Sequence, residues 1–400
     1  MKRLGNLRDD MFSYENCLVA VMEGSERKRG KRELRPFVFS AEEVKEDPSR
    51  YRQVDPKRVK PFAERLCKEL RDGTWELKPP THRHVYLKSK AKAKGKWRDL
   101  YIPSFETHVV NHMLMQAVMP AFTRGMDPHS AGSVPGRGPG MVVNVVSRWM
   151  QKDRQCRYFV KLDIRQFFPS IKADILMEIL MRKIKDRYAL DLFRRFLYCT
   201  PVACPMGLYS SPWLANLYLE GLDHFIRQQL YKERRGKRIN RVRHYMRYMD
   251  DMLLIGTSKT DLRKAVMGIE AYLKAERQLA IKPTWEIKRI GIHSFDGRWR
   301  LKEGTCWCDF VGYKFAKDAT ILRSGIFLAT RRLARMMYKA EYYKPHQCSA
   351  LNSRLGWAVH CDSAHLFEEV RIFVNIKLTR RIISDVDKKR KQLQRQACCA

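Results

Sequence analysis

The spacing of hydrophobic positions divides the chain into stretches with helical and with strand-like patterns. Helices are predicted over four stretches: 56–70, 108–122, 213–229 and 262–279. Alternation of apolar and polar residues predicts a strand over 83–87, and a second strand over 97–103 returns from a basic turn. From residue 325 onwards the pattern is again helical. The chain therefore combines helices and strands over most of its length and is helical at its end.

Two adjacent acids, Asp250 and Asp251, interrupt the apolar and aromatic run from His244 to Gly256. This pattern predicts a strand, a tight turn and a second strand, with the carboxylates at the tip. Successive side chains of a strand point to opposite faces, so burying both acids would leave an unpaired charge that costs several kcal/mol. A metal cation or open solvent must receive them. For the pair taken alone, an ordinary polar turn is the alternative.

A third acid, Asp163, ends the apolar strand that begins at Tyr158, and a short aromatic turn then leads into a helix near Lys172. An acid leaving one strand and an acid pair at a hairpin tip are what a two-metal site requires. Mg²⁺ prefers carboxylate and carbonyl oxygens, and two such ions can activate a primer hydroxyl and neutralise a triphosphate. The three acids therefore predict nucleotidyl transfer with two Mg²⁺ ions.

Four segments carry a family resemblance: KLDIRQFFPSI from 161, PMGLYSSPWLANLYLEGLDHFI from 205, RYMDDMLLIG from 247 and CDFVGYKF from 308. In order and approximate spacing they resemble the palm motifs of reverse transcriptases. The chain is most similar to the bacterial branch, which includes group II intron, retron, diversity-generating retroelement and defence-associated enzymes. The resemblance implies an α+β right-hand polymerase, with fingers, a palm of antiparallel sheet and helices, and a basic helical thumb.

The resemblance also implies a division of the chain into four parts. We expect a basic N-terminal extension over 1–50, fingers over 51–155, a palm over 156–315, and a helical thumb with a basic tail over 316–400. Basic runs at 27–32 and 388–391 lie in the first and last parts. Such runs are usually solvated, and in a polymerase they also suit contact with a template.

The metal site implied by the resemblance has four ligands: the carboxylates of Asp163, Asp250 and Asp251 and the backbone carbonyl of Ile164. Some reverse transcriptases place a lysine after the palm helix to protonate the leaving pyrophosphate. Lys282 and Lys288 both qualify for that role, and the sequence does not choose between them.

Contacts to the incoming nucleotide are expected from several segments. Arg98 lies in the predicted fingers hairpin, where its guanidinium can hold phosphate oxygens in a bidentate fork; plain solvation is the alternative. Arg137 lies in the loop from Pro135 to Gly140, which is rich in glycine and proline, and takes a nucleotide contact by resemblance. Phe168 resembles the steric gate that excludes a ribose hydroxyl and so favours DNA synthesis; a core aromatic is the alternative.

Met206 and Gly207 precede the helix that begins near Trp213. The glycine is expected to allow backbone close to the templating pair. Met206 stands where intron-type and retroviral enzymes usually have Gln and where diversity-generating enzymes have an aliphatic residue. Further along, four consecutive residues resemble the primer grip, a strand turn that braces the primer end: Phe310, Val311, Gly312 and Tyr313.

The charge of the chain narrows its partners. Lys and Arg outnumber Asp and Glu by 79 to 43, which gives a net charge of +36. Nucleic acid is the partner that such a balance favours, because phosphate contacts need no sequence information. No apolar run has the length of a membrane span and no secretory signal is evident, so a cytoplasmic protein is expected. The cysteine and histidine spacings match no structural zinc pattern.

The leading interpretation is an RNA-directed DNA polymerase that makes cDNA from dNTPs and a DNA primer on a dedicated non-coding RNA. An accessory protein is a further possible partner. The sequence leaves open whether the enzyme serves a diversity-generating retroelement or antiviral defence. Two other functions compete, an RNA-binding scaffold with a vestigial palm and an RNA-dependent RNA polymerase, and Phe168 and the Asp pair argue against both.

Overall fold

The computed structural model describes residues 3–25, 32–46, 53–87, 95–293, 301–340 and 342–385. Three predicted features fall outside these ranges: the basic run at 27–32 except Arg32, the fingers turn at 88–94 and the basic run at 388–391. The helices are α1 Arg8–Met11, α2 Tyr14–Ser25, α3 Ala41–Glu46, α4 Pro56–Asp72, α5 Phe105–Thr123, α6 Pro139–Lys152, α7 Phe167–Ser170, α8 Ala173–Lys183, α9 Arg187–Tyr198, α10 Ser211–Gln228, α11 Lys259–Tyr272, α12 Ser324–Tyr338, α13 Pro345–Ala358 and α14 Ala364–Phe373.

The strands are β1 Thr81–Leu87, β2 Lys96–Ile102, β3 Ser130–Ala131, β4 Tyr158–Asp163, β5 Tyr231–Arg234, β6 Lys237–Asn240, β7 His244–Tyr248, β8 Asp251–Gly256, β9 Lys288–Arg289, β10 Cys308–Phe310, β11 Tyr313–Phe315 and β12 Thr320–Leu322. A 3-10 helix spans Arg32–Phe37 and a π-helical turn spans Leu273–Arg277. The mixture confirms the predicted α+β class.

The four predicted helices are all present as α4, α5, α10 and α11. Helix α4 shows why its pattern was informative: the side chain of Asp55 accepts a hydrogen bond from the N–H of Lys57, and Pro56 occupies the first turn. Gly73 ends the helix in the left-handed conformation, at φ +74. After α11, the chain meets the central sheet through a single bridge between Ile281 and Ile164.

The central sheet has the strand order β3-β7-β8-β4-β9. Strand β8 pairs antiparallel with both β7 and β4, so it lies in the middle of the sheet. All its residues after Asp251 are buried, because both faces of the sheet are covered. Met252 and Leu254 join a core with the N-terminal helices, α10 and α11, whereas Leu253 and Ile255 join a second core with α6 and the helices α12 to α14.

A small sheet, β10-β11-β12, connects the central sheet to the C-terminal helices. The first hydrophobic core runs from Leu7 to Ile281 and so crosses the boundary predicted at 155. The three predicted domain boundaries stay predictions. Within the described ranges, every helix is too short or too polar to cross a lipid bilayer.

Candidate active site

The three predicted metal-binding acids lie together at one end of the central sheet. Asp163 is the last residue of β4, Asp251 is the first of β8, and the two are paired directly across the strands. Residues so paired share a face, with Cα atoms about 4.5 to 5.5 Å apart. Asp250 lies in the turn that joins β7 to β8, next to Met249, which adopts a positive φ of 56. The register of the sheet thus brings acids from distant segments onto one edge.

The carboxylates at this edge repel one another. Burial raises the pKa of Asp250, the charge of Asp163 raises it further, and the charges of Lys282 and Arg98 oppose the rise. Burial, followed by the charges of Asp250 and Asp163, raises the pKa of Asp251 to about 6. Among the described residues, Oδ1 of Asp163 is buried without a hydrogen-bond partner. The edge therefore holds more negative charge than its own side chains balance.

The donor set fits a hard divalent cation. The N–H of Lys282 donates to the carbonyl of Asp163, and the N–H of Arg165 donates to that of Ala280, both at 2.8 Å. These two bonds join the segments on either side of Ile164 and do not use its carbonyl oxygen, which can therefore serve as a ligand. Three carboxylates with one available carbonyl offer only oxygen ligands, which Mg²⁺ prefers over the nitrogen and sulfur that suit zinc.

A different group of potential metal ligands, Asp153, Cys156 and His244, is found within the described part of the chain. It lies at the opposite end of the sheet, before β4 and at the start of β7. Oδ2 of Asp153 already accepts hydrogen bonds from His244 and Arg243, each at 2.8 Å. We therefore interpret this group as a hydrogen-bonded cluster. It is separate from the site formed by Asp163, Asp250 and Asp251.

The two candidate lysines are placed far apart. The ammonium group of Lys282 contacts Oδ2 of Asp163. Lys288 is paired with Phe159 on β4, four residues before Asp163, which is a separation of about 13 Å along the strand. Its side chain forms an ion pair with Glu286 at 3.0 Å. Lys282 is the candidate that the sheet brings to the acids.

A buried ion pair that the sequence did not predict lies behind the acid turn. Arg247 of β7 and Asp223 of α10 are both fully buried. Nε and Nη2 of Arg247 donate to the two oxygens of Asp223 at 2.8 and 2.7 Å. Burial opposes the charge of Arg247, but Asp223 raises its pKa above the ordinary value. The available signal was an arginine inside an otherwise apolar strand.

The same arginine holds the turn itself. Nη1 of Arg247 donates to the carbonyl of Met249 at 3.0 Å and to Oδ1 of Asn216 at 2.8 Å. Asn216 in turn donates to the carbonyl of Gly132 at 3.0 Å, and the N–H of Met249 donates to the carbonyl of Ala131 at 3.0 Å. Asn216 is buried and serves this framework.

The fingers hairpin β1-β2 reaches the acids through Arg98. This side chain is exposed, and its charge is close enough to lower the pKa of Asp250. Further along β2, the N–H of Tyr101 donates to the carbonyl of Met206 at 2.8 Å. Gly207 has a φ of +129, and a Cβ there would lie 2.1 Å from the carbonyl oxygen of Tyr101. The close backbone approach at Gly207 is thus to the fingers strand, and a contact with the templating pair stays a prediction.

Arg137 and Phe168 are only partly available to a ligand. Nη1 of Arg137 donates to the carbonyls of Asp127 and Ser130, at 2.8 and 3.4 Å, so this half-buried guanidinium holds its own loop. Phe168 is half-buried on α7, whereas its neighbour Phe167 belongs to the core. The rings contact edge-on, with centroids 5.6 Å apart. Nucleotide contact by Arg137 and Phe168 stays a prediction.

The predicted primer grip forms a hairpin whose two turn residues, Val311 and Gly312, both have positive φ. This is the combination that a tight two-residue turn requires. Phe310, Gly312 and Tyr313 are buried, and Tyr313 donates to the carbonyl of Trp357 on α13 at 2.9 Å. Only Val311 among the four is part-exposed. The other three residues therefore support the turn, and little of their side-chain surface is exposed for contact with a primer.

Comparisons with known proteins show what the chain is similar to. Residues 88–284 match the family described as Reverse transcriptase (RNA-dependent DNA polymerase). Retron Ec73 reverse transcriptase of Escherichia coli is 24% identical over 216 residues, which cover 52% of this chain and 63% of that protein. Group II intron-encoded protein LtrA of Lactococcus lactis subsp. cremoris is 28% identical over 174 residues, which cover 41% of this chain and 28% of that protein. Residues 88–284 therefore form a reverse transcriptase domain, and these relatives support the retron and group II intron branch.

The chain spans less than two thirds of the length of these two relatives. Among solved structures, telomerase from Candida albicans in complex with a fragment of telomeric RNA has 9% sequence identity and a TM-score of 0.46. That similarity covers 84% of this chain and 62% of the telomerase chain.

Proposed function

We propose that this protein is an RNA-directed DNA polymerase that extends a DNA primer with dNTPs on an RNA template. The observation that carries the proposal is the cross-strand placement of Asp163 and Asp251, with Asp250 at the adjoining turn, inside a reverse transcriptase domain. Three mutually repelling carboxylates have no other evident use. An ordinary polar turn would not pair Asp251 with a third acid from another strand.

The residues of the chain divide the work as follows. Asp163, Asp250, Asp251 and the carbonyl of Ile164 would hold two Mg²⁺ ions, which supply charge neutralisation and activation of the primer hydroxyl. Arg98 places positive charge on the fingers side of the acids, where the triphosphate would lie. Phe168 would limit the space beside the sugar, and the turn at Val311 would support the primer end.

The test compares the Asp250→Ala/Asp251→Ala variant with the parent protein. We expect loss of Mg²⁺-dependent dNTP incorporation with RNA binding largely retained, because most of the basic charge lies elsewhere. A matched control changes Asp191 and Glu178, two exposed acids on the helices α9 and α8, to alanine. Retained synthesis in the Asp250/Asp251 variant would contradict the proposal.

The biological setting proposed is a bacterial or phage retroelement or an antiviral defence system, with cDNA made on a dedicated non-coding RNA. The net charge of +36 supports a constitutive RNA partner, because the nucleic acid in the cleft would neutralise only part of it. We also propose a cytoplasmic location and an accessory protein as a further partner. Sequencing the RNA that co-purifies with the protein would distinguish a diversity-generating template from a defence RNA.

A further inference from the structure

The end of the central sheet opposite the acids is strongly basic. Arg157 lies six residues before Asp163, about 20 Å away along β4. Arg243 directly precedes β7 and donates its N–H to the carbonyl of Ile255, while Arg157 donates to that of Gly256. Arg289 on β9 is paired with Tyr158 at the same level. The three arginines therefore lie along one edge of the sheet, and all three are exposed.

A basic hairpin, β5-β6, rises from the same end of the sheet. Its base is closed by the N–H of Arg241, which donates to the carbonyl of Leu230 at 2.9 Å, and the chain then passes directly into β7. Residues 231–243 contain seven Lys or Arg side chains and one acid. Arg235 and Gly236 both have positive φ, which gives the tight turn typical of a rigid two-residue hairpin.

The protein neutralises the base of this hairpin but not its tip. Asp261 forms ion pairs with Lys232 and Arg241 at 2.5 and 3.1 Å, and Glu233 lies 3.9 Å from Arg238. In the part of the chain that the structure describes, no ion pair is formed by five of the basic residues at this end: Arg157, Arg234, Arg235, Lys237 and Arg289. Arg234 and Lys237 are paired directly across the strands, where like charges repel. A polyanion would remove that repulsion.

We propose that the hairpin tip and the row of arginines form a second RNA-binding surface, which we call the basal basic surface. It comprises Arg234, Arg235, Lys237, Arg157 and Arg289, and Arg243, which is already paired with Asp153, lies beside them. The inference rests on the proposed function, since it assigns a place to RNA that is not in the catalytic cleft. Because about 20 Å separates this surface from the acids, a folded part of the RNA can bind there while the template occupies the cleft.

The chemistry of the surface favours a phosphate backbone. Guanidinium groups match phosphate oxygens bidentately, and backbone contacts need no apolar anchor. In the hairpin, Ile239 is the large apolar side chain that is exposed, at 41%. Binding to a lipid surface requires an extended apolar face in addition to charge. The exposed face of the hairpin lacks one, so RNA fits better than a membrane.

The experiment uses the full chain with its cleft filled by an excess of an unlabelled RNA–DNA template-primer. Binding of a labelled, fully paired RNA stem-loop is then measured against salt concentration. The test variant is Arg234→Gln/Arg235→Gln/Lys237→Gln. The control, Lys57→Gln/Lys60→Gln/Lys68→Gln, removes the same charge from exposed positions of α4. Extension of a short template-primer is measured in parallel.

We expect the hairpin variant to bind the stem-loop at least about tenfold more weakly, with a salt slope reduced by about two to three, while primer extension is unchanged. The control should match the parent protein. Equal stem-loop affinity in the hairpin variant would overturn the inference, as would hairpin-dependent binding of anionic vesicles without binding of RNA. Hairpin-dependent RNA binding by a parent protein that extends no primer would uphold this surface and refute the proposed polymerase.

Discussion

The buried pair of Arg247 and Asp223 leads to a prediction in which the stability of the fold and the position of the acid turn can be measured separately. A guanidinium group has five N–H donors, and Arg247 forms five hydrogen bonds: two to Asp223 and one each to Ser130, Asn216 and the carbonyl of Met249. Four of these bonds serve other side chains. The fifth holds the turn that carries Asp250.

Removing one member of the pair should destabilise the protein severely. In Asp223→Leu, the charge of Arg247 stays fully buried without its counter-ion. In Arg247→Met, the carboxylate of Asp223 is left buried without a counter-ion in the same way. Breaking a buried ion pair in this way costs about 3 to 5 kcal/mol. A protein of this kind has only about 5 to 15 kcal/mol of stability in total, so either single variant should unfold at a much lower temperature.

Replacing both members should restore folding but not activity. Two apolar side chains of similar volume often stabilise a fold as well as a buried ion pair does. In Arg247→Met/Asp223→Leu, however, the buried hydroxyls of Ser130 and Tyr245 lose Asp223 as their acceptor, and the part-buried carbonyl of Met249 loses its donor. Each group left unsatisfied costs about 1 to 3 kcal/mol. If the turn relaxes to relieve even 1 to 2 kcal/mol, the native position of Asp250 is depopulated about five- to thirtyfold.

Thermal unfolding and single-turnover dNTP incorporation at saturating Mg²⁺ would measure the two effects separately. The expected pattern is a low unfolding temperature for both single variants, and a higher one with a reduced incorporation rate for the double variant. Changing Arg182 and Glu178, an exposed pair 3.8 Å apart on α8, should affect neither measurement by much. A double variant with a normal unfolding temperature and a normal rate of dNTP incorporation would refute the idea that Arg247 positions the turn.

Three further predictions concern residues that we expect to contact the nucleotide or the metal. Phe168→Ala should raise the use of NTPs relative to dNTPs; an unchanged ratio in competition assays would place the gate elsewhere. Met206→Gln should lower misincorporation on a heteropolymeric RNA by up to about tenfold, since an added amide can fix one hydrogen bond; identical error spectra in sequenced cDNA would count against it. Without metal, Asp251→Asn should raise the unfolding temperature at pH 7. Because folding raises the pKa of Asp251 to about 6, the parent protein gains stability as the pH falls below 6, and the difference should narrow there. A constant difference from pH 7 to pH 4.5 would contradict this assignment.

The acids could be found from the sequence because the signal is local. Each acid lies at the end of an apolar strand. Because successive side chains of a strand point to opposite faces, two adjacent acids cannot both find a partner in the core. The register that sets Asp163 opposite Asp251 follows from the apolar faces of β4 and β8, which must both point into the two cores. Strand ends, turns and helix starts were predictable for the same reason.

Contacts between distant segments could not be found in this way. Asp223 looked like one more polar residue of an amphipathic helix, and only the packing of α10 against β7 shows that it balances Arg247. Phe310 and Tyr313 belong to a motif that suggested primer contact, yet both are buried under the C-terminal helices. Spacing in the sequence carries no information about which helix covers a given strand.

Pairing likewise brings Lys282 rather than Lys288 to the acids, and this placement leads to a last prediction. The ammonium group of Lys282 occupies one oxygen of Asp163, a carboxylate that must also bind the metal, so the lysine and the cation compete. The pair is about 40% exposed, and such pairs contribute about 0 to 1 kcal/mol. Lys282→Met should therefore tighten Mg²⁺ binding at pH 8 by up to about fivefold. Lys288→Met removes the same charge beside Glu286 and should leave Mg²⁺ binding unchanged. Titration calorimetry on both variants measures this, and weaker binding in Lys282→Met would mean that the lysine helps to assemble the metal site rather than competing for it.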